Sequence, residues 1–511
     1  MDIFLNKEKI NYVKSVLNAS MANEETMEMI VPDALPDILR IVDTDGTVFL
    51  RSKSTDNGRA VICGVVDATV LYCPEGESGL RKLNTEVPFT VTAPNGDISP
   101  NTRVTANAVL SSADASMVNP RKIIVRVNLM TDVSCFNDDD AMIAAGLEDN
   151  GEAGIEALTD SGDIVTTTGV REKTFVISDE LAVPAGNPPV GEMLKYRIML
   201  SPEETKMVGS KLILRGSAAV MLLYLPEGGG EPAKADFSTE FSQIMELDNA
   251  GQDDDFHIIL MPTNAYFDSE MSPHNPDGRN LIMEIHAVAQ CVTSEKKRLS
   301  YIKDLYSTKY PLDMTTTDAQ FENRSQTKVP AVFHGVLETP SAVSRVLALN
   351  VHPGAVTLAA GSGEMSCPLN VCVLYISDDG RVLSAMRQFD VTAASEPMEN
   401  AHSTANAVCG KDVYGVPVGN AIELRIPVDM TITATTAVPF KTIDALSYDE
   451  TMPLDRSKEP SLIVTRTANG ESLWDIAKKH HSSSKLILAA NEMDSEENMG
   501  AGQLLIIPKQ R

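Results

Sequence analysis

Ala60-Val61-Ile62-Cys63-Gly64-Val65-Val66-Asp67-Ala68-Thr69-Val70-Leu71-Tyr72 places an apolar or small residue at every second position from Ile62 to Tyr72. The pattern returns as Leu214, Gly216, Ala218, Val220, Leu222, Tyr224, and again as Met365, Cys367, Leu369, Val371, Val373, Tyr375. Alternate side chains of a strand share one face, so each copy predicts a strand with a continuous apolar face. The other face is mixed, with Asp67 and Thr69 in one copy and Ser366 and Asn370 in another. Each copy closes on Leu-Tyr, and the three tyrosines stand 152 and 151 residues apart.

The flanks repeat as well. Pro74-Glu75-Gly76, Pro226-Glu227-Gly228 and Asp378-Asp379-Gly380 supply turn chemistry, because Pro fixes φ and Gly accepts positive φ. Return strands then carry Phe89, Phe241 or Phe389, the last coming early after a shorter turn. Each copy ends with a second turn (Asn119-Pro120, Asn275-Pro276-Asp277-Gly278 or Gly419-Asn420) and a long β-rich segment at 123–133, 281–292 or 422–433. Val31-Pro32 matches Val183-Pro184 upstream, while the third copy lacks a clear equivalent. A period this long is domain-sized, so each copy can bury its own core. The reading is three related β-rich domains at 23–136, 166–312 and 326–446, not a solenoid. Threefold repetition suits binding surfaces better than a catalytic site.

The segments between read differently. Residues 137–165 hold Asp138, Asp139, Asp140, Glu148, Asp149, Glu152, Glu156, Asp160 and Asp163 without Lys or Arg, which predicts a solvated acidic linker. A cation site is the other reading, but EF-hand spacing is absent. Shorter linkers are expected near 313–323 and 448–460. In residues 1–22, Phe4, Ile10, Val13, Val16 and Leu17 recur at helical spacing, with Lys7, Lys9 and Lys14 off that face. That predicts an amphipathic helix packed on the first domain or docking a partner.

Composition narrows the function. The 511 residues carry 43 Lys plus Arg against 71 Asp plus Glu, a net charge of −28 that argues against nucleic-acid binding. Lys296-Lys297-Arg298 is a short basic run that reads as a strand end. The longest apolar run, 218–225, falls far short of the ~18–20 residues that span a bilayer, and the first residues lack signal-peptide character. Seven cysteines without a CxxC pair predict reduced thiols and a cytoplasmic location. No P-loop, HExxH, G-x-S-x-G or dinucleotide fingerprint occurs, and no catalytic, cofactor-binding or metal-ligating residue is nominated. A Cys–His pair assembled by folding is the remaining catalytic reading.

The last fifty residues read strand, helix, helix, strand. Leu462-Ile463-Val464 is a strand ended by Asn469-Gly470. Ser472 and Asp475 make a capping box for a helix at 473–479. Ser482-Ser483-Ser484 precede a second helix at 485–491, and Leu504-Leu505-Ile506-Ile507 ends at Pro508. Residues 460–509 resemble a LysM domain through Gly470-Glu471-Ser472-Leu473-Trp474-Asp475-Ile476-Ala477, then Leu486 and Asn491, then Gly502-Gln503-Leu504-Leu505-Ile506-Ile507-Pro508. The resemblance implies a βααβ fold that binds N-acetylglucosamine glycans such as peptidoglycan. It places the groove at Asn469, Gly470, Glu471, Ser472 and Leu473 on one side and Asn491, Glu492 and Met493 on the other. Glu471 replaces the more usual Asp, and Asp494, Glu496 and Glu497 make the second loop acidic, so a protein contact in the same groove is the alternative. Trp474 is expected in the core.

The block Val31-Pro32-Asp33-Ala34-Leu35-Pro36-Asp37-Ile38-Leu39-Arg40-Ile41, followed by the strand ending in Leu-Tyr, resembles the SPOCS domain. SPOCS repeats joined to a C-terminal LysM are the architecture of SipL-type spore morphogenetic proteins. The resemblance implies a mainly β fold, with three related β-rich SPOCS-like domains followed by a small βααβ LysM domain. It further implies a non-enzymatic protein on the mother-cell side of the forespore surface, with a spore coat scaffold ATPase or other morphogenetic protein as partner. A peptidoglycan-binding protein is the alternative, and a LysM-targeted hydrolase is the third reading.

Overall fold

The computed structural model describes residues 1–77, 79–148, 153–247, 250–268, 279–359, 362–396, 401–455, 460, 462–495, 499–500 and 502–508. Asp149, Glu152, the turn Asn275-Pro276-Asp277-Gly278, Glu496 and Glu497 lie outside the described residues. The chain is mainly β, with two short helices near its C-terminal end.

The repeat is visible as one plan drawn three times. In the first unit β1 (Leu5–Ile30) precedes a meander of β2 (Ile38–Asp56), β3 (Arg59–Pro74) and β4 (Arg81–Pro94), then β5 (Arg103–Asn119) and β6 (Lys122–Leu147). The meander is one antiparallel sheet, and β5, β6 and β1 pair as another, with the core between them. The second unit repeats this with β7 (Ile155–Ala182), β8 (Val190–Val208), β9 (Lys211–Pro226), β10 (Ala233–Glu246), β11 (Asp255–Asp268) and β12 (Asn280–Ser307). The third uses β13 (Leu312–Glu338), β14 (Val343–Pro353), β16 (Glu364–Ser377), β17 (Val382–Ala394), β18 (Ala401–Cys409) and β20 (Ala421–Tyr448). It adds the short strands β15 (Thr357–Leu358) and β19 (Tyr414–Val418).

The alternating stretches are β3, β9 and β16, the middle strand of each meander. Their closing Leu-Tyr divides two jobs by strand parity. Tyr72, Tyr224 and Tyr375 each fill the core of their own unit. Leu71, Leu223 and Leu374 point the other way and meet in one apolar seam with Val42, Leu194 and Leu347. The three units are thereby joined along a shared centre. Tyr72 and Tyr224 donate their hydroxyls to Pro36 O and Pro188 O at 3.2 and 2.8 Å. The buried Tyr375 hydroxyl has no partner among the described residues; the loop before β14, Thr339-Pro340-Ser341-Ala342, is shorter than the loops at 31–37 and 183–189.

The divergence of the third unit also shows in side-chain volume. Gly64 faces Phe89 and Gly216 faces Phe241 across the ladder, and a Cβ on either glycine would lie 2.4–2.6 Å from the ring. In the third unit Phe389 has moved to face Leu369, so Cys367 can stand where the other units need glycine, opposite Val391. Small faces large, and the two changes compensate.

Charges are sealed into the same seam. Bulges between Ile41 and Asp43, Met193 and Lys195, and Val346 and Ala348 place Asp43, Lys195 and Ala348 at corresponding points of β2, β8 and β14. Lys195 donates to Asp43 and lies 3.5 Å from Asp45, with all three side chains at most 5% exposed. The third unit adds His352, 3.0 Å from Asp45, and Cys372, whose thiol donates to Asp43 at 3.4 Å. One negative, one positive and one neutral residue at equivalent positions make the units non-interchangeable.

Three expectations are corrected here. Residues 1–22 do not form a helix but lie largely within β1, paired along its length with β6. Ile10 and Val13 are both buried, yet on opposite faces of the strand, in separate clusters. Burial on two faces thus imitated helical spacing, and Phe4, expected inward, is 71% exposed. The described parts of 137–165 are not a linker either. They are the ends of β6 and β7, where Ala141, Ile143 and Ile164 point inward and Asp138, Asp139 and Asp140 outward. Residues 313–323 likewise lie in β13. The supposed helix and linkers form a stem of three long β-ribbons, β1–β6, β7–β12 and β13–β20. All three ribbons contribute to its core, which contains Ile155, Ile302, Leu305, Ile443, Leu446, Ile10, Phe321 and Phe440. The acids are its solvated face.

Candidate binding groove

The C-terminal unit consists of β21 (Leu462–Arg466), α1 (Leu473–Lys479), α2 (Ser484–Ala490) and β22 (Leu504–Pro508), with β21 and β22 antiparallel. Its first helix starts as its sequence demands. The Ser472 hydroxyl accepts from Asp475 N, the Asp475 carboxylate accepts from Ser472 N, and Lys478 and Lys479 complement the dipole at the other end. The second helix has Ser483 as N-cap without a side-chain cap bond.

The eight nominated groove residues fall on the two expected loops but do different work. Asn469 and Gly470 are exposed, and Gly470 adopts φ +80°, the left-handed region that favours glycine. Glu471 turns inward on its own loop, accepting from Ala468 N at 2.9 Å. Ser472 is the helix cap, and Leu473, 3% exposed, belongs to the core. On the far side Asn491 donates to Ile487 O and Ile506 O, both at 2.7 Å, and accepts from Ile506 N, tying α2 to β22. Met493 is partly buried, while Glu492, at φ +55°, and Asp494 are exposed. Of the eight, Asn469, Gly470 and Glu492 are therefore the exposed ones, joined by Asp494 beside them, and the other five hold the loops.

The mount of this unit rests on residues of β12, far away in the chain. Trp474 packs edge-on against Tyr306 of β12, ring centroids 4.9 Å apart, and donates its indole N–H to Asp304 at 2.9 Å. Lys478 reaches both oxygens of Asp304 at 2.7 Å. The Tyr306 hydroxyl donates to Ser482 O at 2.6 Å, and the His481 ring lies 3.1 Å from Ser307 O. Tyr306 is 4% exposed and joins the small unit's own core of Leu473, Ile476, Ala477 and Ile487. Burial disfavours charge on Asp304, but the hydrogen bonds from Lys478 and Trp474 outweigh it and hold the carboxyl below its usual range. The unit thus sits on the stem through α1 and the 481–482 turn, not through the groove loops.

Comparison with known families supplies the decisive observation. A model described as SipL, SPOCS domain matches residues 37–118, from Asp37 through β2 to β5, and a LysM domain model matches residues 467–508. The two matches support a SPOCS-plus-LysM architecture. No curated protein matches it. The LysM match spans both groove loops, and the two domains together fit a sporulation-related protein with a peptidoglycan-binding module. The SPOCS match begins at a residue the fold uses: Arg121 donates to Asp37 at 2.6 Å and to Val31 O at 2.9 Å, locking the proline-bearing loop. Arg279 plays this part in the second unit, donating to Asn187 O at 2.9 Å.

SPOCS and LysM are non-catalytic domain families. All seven cysteines are free thiols. Burial pushes Cys135, Cys291 and Cys409 up to about 11 and Cys367 to about 12, which leaves them poor nucleophiles. Among the described residues no His, Cys, Asp or Glu group is arranged to hold a metal, and no helix is long and apolar enough to cross a membrane.

Proposed function

We propose that this chain is a non-enzymatic morphogenetic protein of the spore envelope. It links a coat scaffold protein, an ATP-hydrolysing assembly, to the forespore surface from the mother-cell cytoplasm. The observation that supports this reading is the mount. Asp304 and Tyr306 fix the LysM domain to the stem by α1, so its loops project as a head whose exposed rim carries Glu492 and Asp494. An acidic rim suits a basic protein surface better than a neutral sugar. A glycan role has its own support in the matched LysM fold and in the open backbone of Gly470, and it is the second reading.

A fluorescent fusion of the full chain should appear only in sporulating cells, as a shell around the forespore on the mother-cell side. Signal in the wall of vegetative cells would overturn the first reading in favour of the second.

A further inference from the structure

The three units line a half-open cavity of about 910 Å³ beside the charged seam, with walls from all of them. That is the size of a small-molecule site, for which ~300–1,000 Å³ is usual. Its lining is unusual for a chain with 28 excess acids. Arg197, Arg324 and His257 face the cavity, and Arg324 lies beside the Phe136 ring, its guanidinium carbon 5.9 Å from the centroid. Among the described residues no carboxylate pairs with Arg324 and no acceptor takes its N–H groups. Glu322, on the same strand, is within electrostatic range but forms no ion pair. His257 is held down to about 4 by burial and by the nearby Arg324, so a further cation is unwelcome there.

The acids on the walls are already engaged. Asn406 of the third unit donates to Asp132 of the first at 3.3 Å, and Ser20 and Asn107 also bond its carboxylate. At the rim Glu203 pairs with Lys411 at 2.9 Å and Asp429 with Lys328 at 2.8 Å. A half-buried guanidinium without a counter-ion is costly, whereas a carboxylate or phosphate meets its planar fork with two parallel hydrogen bonds. Asn18, Asn107 and Asn406 line the same space and can meet hydroxyl or amide groups on the remainder of such a molecule.

We infer that the cavity between the three units is a binding site for a small polar anion, its carboxylate or phosphate group received by Arg324. Because every unit lends residues to the walls, occupancy would brace the body that carries the LysM head.

The test titrates the full chain separately with inorganic phosphate and with succinate, at ionic strength held constant with chloride, reading the melting temperature and the heat of binding. A saturable response to one of them, weakened at least tenfold in Arg324→Gln and partly restored in Arg324→Lys, is the expected result. The responding anion identifies the group as phosphate or carboxylate. Should Arg324→Gln not fold, Asn406→Ala is the second variant and must weaken the same response. No saturable response to either anion, or one unchanged in the variants, would overturn the assignment.

Discussion

Lys195→Met is expected to destabilise the body by about 3–5 kcal/mol, the usual cost of stranding a buried charge. The substitution keeps most of the side-chain volume but leaves Asp43 and Asp45 facing each other in a seam closed to water. Asp45 retains His352, whereas Asp43 keeps only the weak Cys372 thiol. The double variant Asp43→Leu with Lys195→Met should recover part of the loss, because it removes both charges rather than one. Thermal melts of the intact chain decide the matter. A Lys195→Met melt within the scatter of surface substitutions, about 0.5 kcal/mol, would mean that the seam does not join the units.

The same charges set a pH window. Burial opposes charge on Lys195, but Asp43 and Asp45 outweigh it and raise its pKa. Its contribution is therefore full below about pH 10 and is lost as pH rises past the folded value. Burial likewise opposes charge on Asp45, and Lys195 with His352 outweighs it, lowering the carboxyl. That contribution is present above about pH 4 and is lost as pH falls towards the folded value.

The second large effect is expected at the mount. Tyr306→Ala removes a ring that fills the LysM core from outside, and truncating a buried aromatic costs about 3–5 kcal/mol. On that scale the population of released LysM domain rises by at least about a hundredfold. The chain's single tryptophan reports it, since Trp474 packs edge-on against Tyr306. Its emission should shift to the red and become accessible to acrylamide in Tyr306→Ala. Tyr306→Phe keeps the ring and loses only the bond to Ser482 O, so its emission should stay near that of the parent. An unchanged spectrum in Tyr306→Ala would show that the domain is not held this way.

What could be read from the chain follows from the range of each interaction. The alternation ending in Tyr72, Tyr224 and Tyr375 is local and has period two, so the meander strands were legible. The Ser472–Asp475 capping box is local too, and α1 begins and ends where it predicts. The stem was not legible, because its ribbons pair residues far apart in sequence and their buried positions include small residues such as Ala141 and Ala144. Between those positions the acids dominate the composition and read as a solvated linker. In the two loops nominated for the groove, the bonds of Asn491 to β22 and the burial of Leu473 show structural work that a motif does not distinguish from contact with a ligand. Trp474 was expected in the core. It does pack there, but its indole N–H reaches Asp304, 170 residues away, a pairing that the C-terminal segment alone does not encode.

The most direct test of the proposed role is binding of the purified full chain to an immobilised coat scaffold ATPase, with and without the paired reversals Glu492→Lys and Asp494→Lys. These two exposed side chains lie on the groove rim, so their reversal should leave the fold and the Trp474 emission unchanged. The account predicts that the parent binds and that the double variant binds at least tenfold more weakly. Scaffold binding untouched by the reversals, together with loss of the chain from insoluble peptidoglycan in the same variant, would contradict it and make the groove a glycan site.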